Sequence, residues 1–204
     1  MDVAKLKLTY FDVHGGRAEP IRLALYLGGI EFEDYRFSYS EFPEVRKSTP
    51  LGQVPVLDID GLVVTQSNAI TTYAGKLTGL YPKDDLQALL CEEIMGSVED
   101  VTSRIVSTFG LQGDALIEAR EKVTQDYLIP HLNWLATKLG NNNYFIENTL
   151  SVADLKTLAH LAWLNSGRLD HIASSLVAEH APTLQTFFNQ LMQHPKIVEY
   201  YATH

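Results

Sequence analysis

The residues of this chain best suited to chemistry are Gly52-Gln53-Val54-Pro55-Val56-Leu57 and, shortly after them, Gln66-Ser67. Val54 to Leu57 reads as a buried strand, but proline cannot donate to a sheet ladder. Pro55 therefore points to a turn, an edge position or a cis peptide at a binding surface. Ser67 stands where a helix begins, ahead of the apolar positions Ile70, Tyr73 and Leu77. The segment thus offers unpaired backbone groups beside a proline and a helix N-terminus, whose free N–H groups and dipole favour a carboxylate. The chemistry implied is capture of a small anionic ligand.

The elements that position these residues follow from periodicity. Lys5 to Phe11 alternates, with Leu6, Leu8 and Tyr10 on one side, and predicts a first strand. Ala18 to Leu27 predicts a helix with Pro20 in its tolerant first turn and Gly28-Gly29 as its stop. Phe32, Tyr35 and Phe37 suggest a second strand, parallel to the first by the right-handed crossover rule. An irregular stretch through Phe42-Pro43-Glu44-Val45-Arg46 follows, and Asp60-Gly61 signals a hairpin into Leu62-Val63-Val64. This order is that of a small α/β domain over 1–80, with 81–86 as linker. Beyond it Leu86, Leu90, Ile94, Val98, Val101, Ile105 and Phe109 mark a long amphipathic helix. A second helix runs from Ile117 to Leu139, with Pro130 expected to bend it. Ser151-Val152-Ala153-Asp154 opens a third through a variant capping box, and Pro182 and Pro195 start shorter ones. Residues 87–204 are read as all-helical.

Composition narrows the function classes. With 46% hydrophobic and 20% charged residues the chain of 204 residues has globular rather than disordered usage. No apolar run approaches the ~20 residues of a membrane helix, and Met1 to Lys5 has no signal-peptide character. The single cysteine, Cys91, excludes an intrachain disulfide and suggests a reducing, cytoplasmic setting. A net charge of −9 argues against nucleic acid as a partner, and means local cations and backbone donors must hold any anion.

Four motifs in order, Tyr10-Phe11 with Arg17-Ala18-Glu19-Pro20-Ile21-Arg22, Gly52 to Leu57, Gln66-Ser67 and Ser151 to Asp154, resemble those of the cytosolic glutathione transferases. The likeness spans essentially the whole chain and is closest to the tyrosine-type sigma class. It implies a thioredoxin-like N-terminal domain that binds glutathione and an all-α domain that supplies a second-substrate pocket, in a homodimer. Glutathione would be co-substrate, with no metal and no redox cofactor. By the same resemblance Tyr10 is the catalytic hydroxyl and Arg17 lies near the glutathione sulfur. Val54-Pro55 would be the cis peptide facing the cysteinyl part, with Gln53 beside it. Gln66 and Ser67 would hold the γ-glutamyl carboxylate, and Asp100 would reach a neighbouring subunit's glutamyl amine. Arg46, helped by Lys47, would approach the glycyl carboxylate. Phe42 stands where the sigma pattern has a tryptophan and cannot donate to that carboxylate.

The second-substrate pocket would be lined by Val13, His14, Thr102, Ser107, Lys156 and His160, a polar set, so a prostaglandin isomerase is not predicted. The plainer readings stand beside these. Tyr10 by pattern alone is an ordinary strand tyrosine, Asp154 is read as a folding cap, Arg22 as structural, and Cys91 as a small buried hydrophobe. Glu99 and Asp100 together could be a solvated helix face. The function expected is conjugation of the glutathione thiolate to electrophilic carbon, or reduction of organic hydroperoxides. The alternative is a weakly catalytic ligand-binding protein on the same fold.

Overall fold

The computed structural model describes residues 4–204; Met1 to Val3, on which the absence of a signal segment was argued, lie outside the described residues. The N-terminal part runs β1 (Leu6–Phe11), α1 (Glu19–Leu27), β2 (Glu33–Phe37), a short α2 (Phe42–Val45), β3 (Val56–Ile59), β4 (Leu62–Val64) and α3 (Ser67–Thr78). The sheet order is β2-β1-β3-β4, with β1 and β2 parallel and the β1–β3 and β3–β4 pairs antiparallel. Leu6, Leu8 and Tyr10 are buried while Lys7, Thr9 and Phe11 are partly exposed, as strand alternation requires. At the hairpin, Asp60 (φ 51) and Gly61 (φ 91) both take positive φ, which matches the strand twist.

β3 begins at Val56, so Pro55 lies just before the ladder and not within a strand, and its peptide bond with Val54 is cis. The β1–β3 register pairs Thr9 with Val56; carried one residue further, it sets Pro55 opposite Tyr10. The stretch read as irregular at 42–46 is a chain of short helical turns from Tyr39 to Gly52.

The helical part comprises α4 (Asp85–Val106), α5 (Gly113–Val123), α6 (Ile129–Leu139), α7 (Val152–Asn165), α8 (Leu176–His180), α9 (Pro182–Leu191) and α10 (Pro195–Thr203). The Asp84 carboxylate caps α4 by accepting from the Leu86 and Gln87 amides, so this helix begins inside the span 81–86 read as linker. The second long helix is interrupted next to Pro130. A π-helical turn, Thr124–Leu128, separates α5 from α6, and Pro130 falls in the first turn of α6. The wider π turn accommodates the carbonyls its ring would otherwise meet.

α7 is buried on every side from Val152 to Leu161 and forms the axis of the helical part. Its capping box closes as expected: the Asp154 carboxylate accepts from the Ser151 amide at 2.8 Å and from the Phe145 amide at 2.9 Å. The loop before it turns through positive φ at both Glu147 and Asn148. The two parts join where the Val152 amide donates to the Leu80 carbonyl (2.9 Å) and the Val152 side chain packs on Gly75 of α3.

Candidate active site

A cavity of about 850 Å³ opens between the end of β1, the start of α1 and the helices α4, α5 and α7. Tyr10 lines it from the strand end. Its hydroxyl oxygen accepts the Arg17 backbone N–H at 3.1 Å, which leaves the phenolic proton free to be donated elsewhere. Burial pushes the phenol above its usual range, partly opposed by that N–H, so at neutral pH the group is protonated and a donor. Two features fix its position. Gly16, at φ 67, passes so close that a Cβ there would stand 2.6 Å from the Tyr10 oxygen. Arg22, fully buried, donates to the Val13 (2.9 Å) and Phe11 (3.3 Å) carbonyls and to Asp34 (3.1 Å), so it clamps the loop that leaves β1.

The Arg17 side chain lies over α4. Its Nε donates to Glu99 at 2.7 Å and its Nη2 to Ser103 at 3.3 Å. Glu99 also accepts from Lys156 Nζ at 2.8 Å and from the Ser67 hydroxyl at 3.4 Å. Lys156 reaches Asn68 as well. Burial pushes the Glu99 carboxyl up, but the charges and hydrogen bonds of Lys156 and Arg17 outweigh it and hold it below the usual carboxylate range. Lys156 is depressed by burial first and by the repulsion of Arg17, against the attraction of Glu99. Two cations share this single carboxylate, which favours the charged Glu99, while burial is the larger influence on Lys156. Glu99 is thus the junction between the strand end, the Ser67 helix start and α7, and it is Glu99 rather than Asp100 that faces inward. Asp100 is exposed.

The site residues expected from sequence divide into two groups. Tyr10, Arg17, Phe42, Val13, His14, Thr102, Lys156 and His160 all line the cavity. Gln53, Val54, Pro55, Gln66, Ser67, Arg46 and Asp100 do not. Among these, Ser67 is buried at the N-terminus of α3, after Gln66 at φ 74. Arg46 is exposed and lies alongside Gly52. Phe42 stacks on Phe37 (6.1 Å, 11°) and packs on Phe11 (5.0 Å), so it holds an aromatic floor in place of a donor.

The structure refines the expected second-substrate pocket in three respects. Ser107 is exposed, outside the lining, and its hydroxyl is spent on the Arg104 carbonyl (2.7 Å), because α4 has ended and the chain has turned. Lys156 borders the cavity, but its ammonium is committed to Glu99 and Asn68. The lining is not predominantly polar, because Phe11, Phe109, Leu111, Leu116 and Trp163 share it. His14 is exposed, whereas His160 is buried. Complete burial, then the nearby His131 and Lys156, push it down to about 3, so it is neutral, with Nδ1 near the Thr102 hydroxyl. Sequence reasoning missed Glu99, Arg120, Phe109 and Trp163. Only the heptad-like run of α4 signalled Glu99, as a polar residue beside the apolar stripe.

Two family models match the chain: the N-terminal domain of glutathione S-transferase over residues 6–76 and its C-terminal domain over 99–204. The chain belongs to the glutathione S-transferase family. It is 30% identical to a glutathione S-transferase of Ascaris suum, over 93% of this chain and 97% of that protein. In structure it resembles the prostaglandin synthase D of Nilaparvata lugens at 28% identity, with a TM-score of 0.86 over 98% of each chain. A monomeric glutathione S-transferase of the hookworm Necator americanus is 26% identical, with a TM-score of 0.81 over 98% of this chain and 97% of that one. The thioredoxin-like sheet domain followed by a helical domain is the architecture of this family. Among the described residues no helix is long and apolar enough to cross a membrane, and no His, Cys, Asp and Glu cluster could hold a metal ion.

Proposed function

We propose that this chain is a tyrosine-type glutathione transferase of sigma-like character, in which Tyr10 donates its phenolic hydrogen to the glutathione sulfur. The observation that carries the reading is the Tyr10 hydroxyl itself: it lines the cavity as a neutral donor, with its oxygen already engaged by the Arg17 amide. A free thiol has a pKa near ~8.5, so little is thiolate at neutral pH. A hydrogen bond to the sulfur favours the anion and increases the nucleophile. The thiol proton leaves to solvent, the thiolate sulfur bonds to an electrophilic carbon, and the displaced group departs with its electron pair. With an organic hydroperoxide, the sulfur takes the terminal oxygen as a sulfenic acid and releases the alcohol, and a second glutathione thiol then displaces water to give the disulfide.

The Ser67 end of α3 would take the γ-glutamyl carboxylate, with the Val54 backbone, Gln53, Gln66, Phe42 and Arg46 along the rest of the peptide. Arg17 orients the sulfur end, and the cavity beside α4 and α7 receives the electrophile. We place the protein in the cytosol as a homodimer. The exposed Leu86 (60%) and Leu89 (64%) support an apolar face for a second copy on the N-terminal half of α4, the helix that also carries Asp100. Sedimentation showing a monomer at micromolar concentration removes the cross-subunit role of Asp100.

The catalytic test is Tyr10→Phe. A hydrogen bond to a charged group is worth about 1.5–3 kcal/mol, or roughly one to two pKa units. Thiolate absorbance of the bound tripeptide is therefore expected to titrate that much higher, and conjugation of an aryl halide at pH 7 to slow in proportion. An unchanged titration and rate would exclude Tyr10 as the activator. Binding of glutathione by the wild type without any turnover would favour a ligand-carrying protein instead.

A further inference from the structure

The end of the cavity beyond Val106 holds a cation that the chemistry at Tyr10 does not use. Arg120 of α5 is 4% exposed and lines the cavity. Its Nε donates to the Thr108 hydroxyl, which in turn donates to the Ile105 carbonyl at 2.6 Å. Its Nη1 is buried with no hydrogen-bond partner among the described residues. Such groups are rare, because a buried donor without an acceptor forfeits its hydration, and a guanidinium forfeits more. The nearest compensation is weak. Asp170, exposed at the same end, attracts the guanidinium but forms no ion pair with it among the described residues, and burial remains the larger influence. The face of Phe109 lies 5.6 Å from Cζ, and Phe109 meets Trp163 edge-on at 6.2 Å. Leu111 and Leu116 complete an apolar wall. From Glu99, beside Arg17, to Val106 the cavity follows seven residues of α4, about 10 Å of helix rise.

We propose that this end is an oxyanion subsite built on Arg120, and that the second substrate is an amphipathic molecule carrying a carboxylate at the end remote from its reacting atom. The carboxylate accepts from the Arg120 guanidinium while its apolar body lies on Phe109, Trp163 and the two leucines. A guanidinium presents paired donors that match a carboxylate. The inference rests on the transferase reading only for what happens at the other end of the molecule.

The experiment is calorimetric titration of the full chain with decanoate and with decanol, without glutathione, so that binding is read apart from turnover. The wild type is expected to prefer decanoate by about tenfold or more, the scale of one charge-assisted hydrogen bond in a desolvated site. Arg120→Met is expected to abolish the preference and Arg120→Lys to keep part of it. Arg168→Gln, at the exposed cation of the same end, is expected to leave it. Equal affinity of the wild type for the two probes overturns the proposal, as does a preference that survives Arg120→Met or vanishes in Arg168→Gln. Should Arg120→Met fail to fold, the wild-type comparison and Arg120→Lys decide. Charge preference without any conjugating activity would leave this subsite standing and remove the transferase reading; turnover without charge preference would do the reverse.

Discussion

Replacing Glu99 with glutamine tests whether one carboxylate holds the two parts of the molecule together at the site. The change keeps the shape and an acceptor oxygen but leaves Lys156 and Arg17 without a negative partner. The side chain of Lys156 is 5% exposed and that of Glu99 is 26% exposed. Breaking a fully buried pair costs about 3–5 kcal/mol, while an exposed pair is worth ~1 kcal/mol or less. A quarter-exposed carboxylate facing a buried ammonium lies between, so Glu99→Gln is expected to cost about 2 kcal/mol. For a chain of this size that is roughly 4–8 °C in Tm. The decisive arm is the double variant Glu99→Gln with Lys156→Met. If the cost is a stranded ammonium, removing it restores about 1 kcal/mol or more, a coupling typical of residues in contact. Urea denaturation of the wild type, both single variants and the double variant measures this cycle. A single-variant cost under about 0.5 kcal/mol, or strict additivity in the cycle, would refute the idea that Glu99 compensates Lys156.

Three further outcomes are expected. Gly16→Ala would place a methyl 2.6 Å from the Tyr10 oxygen at a residue with φ 67, so conjugation should fall about tenfold while the circular-dichroism spectrum stays native. Gly75→Ala, which by helix propensity alone would stabilise α3 by about 1 kcal/mol, meets Val152 Cγ1 at 2.7 Å and should instead destabilise by about 1–3 kcal/mol, read as a lower urea midpoint. Stability should also fall as pH drops below about 6.5, the unfolded histidine value. Burial pushes His131 down to about 4 and His160 to about 3, so the unfolded chain binds protons that the folded chain refuses. Each adds a slope of up to about 1.4 kcal/mol per pH unit. Asp154, pushed up to about 6 by burial despite its donors, opposes them below that pH, because its folded form protonates first. Tm measured from pH 7.5 to 5 should decline, and His131→Gln should flatten the decline; a pH-independent Tm would rule the histidine contribution out.

Much of the fold was legible because its determinants are local. Alternation in Leu6 to Phe11, the Asp60-Gly61 turn, the Asp154 capping box and the prolines opening α9 and α10 act within a few residues, and all appear as read. The run from Tyr39 to Gly52 was illegible because its turns are too short to show a period. The π turn just before Pro130 leaves no mark of its own in the sequence.

The division is sharpest at the site. Sequence determined which residues stand at the strand end, the cis proline and the Ser67 helix start, since each is set by its immediate neighbours. It could not tell an inward Glu99 from an outward Asp100, adjacent on one helix, because their fates depend on Arg17 and Lys156, far away in the chain. Nor could it separate the exposed Ser107 from the buried Thr108, or find Arg120 at the cavity's far end. Those outcomes depend on where α4 stops and how α5 packs back against it. Burial and charge compensation are sums over distant neighbours, so only the assembled tertiary structure decides them.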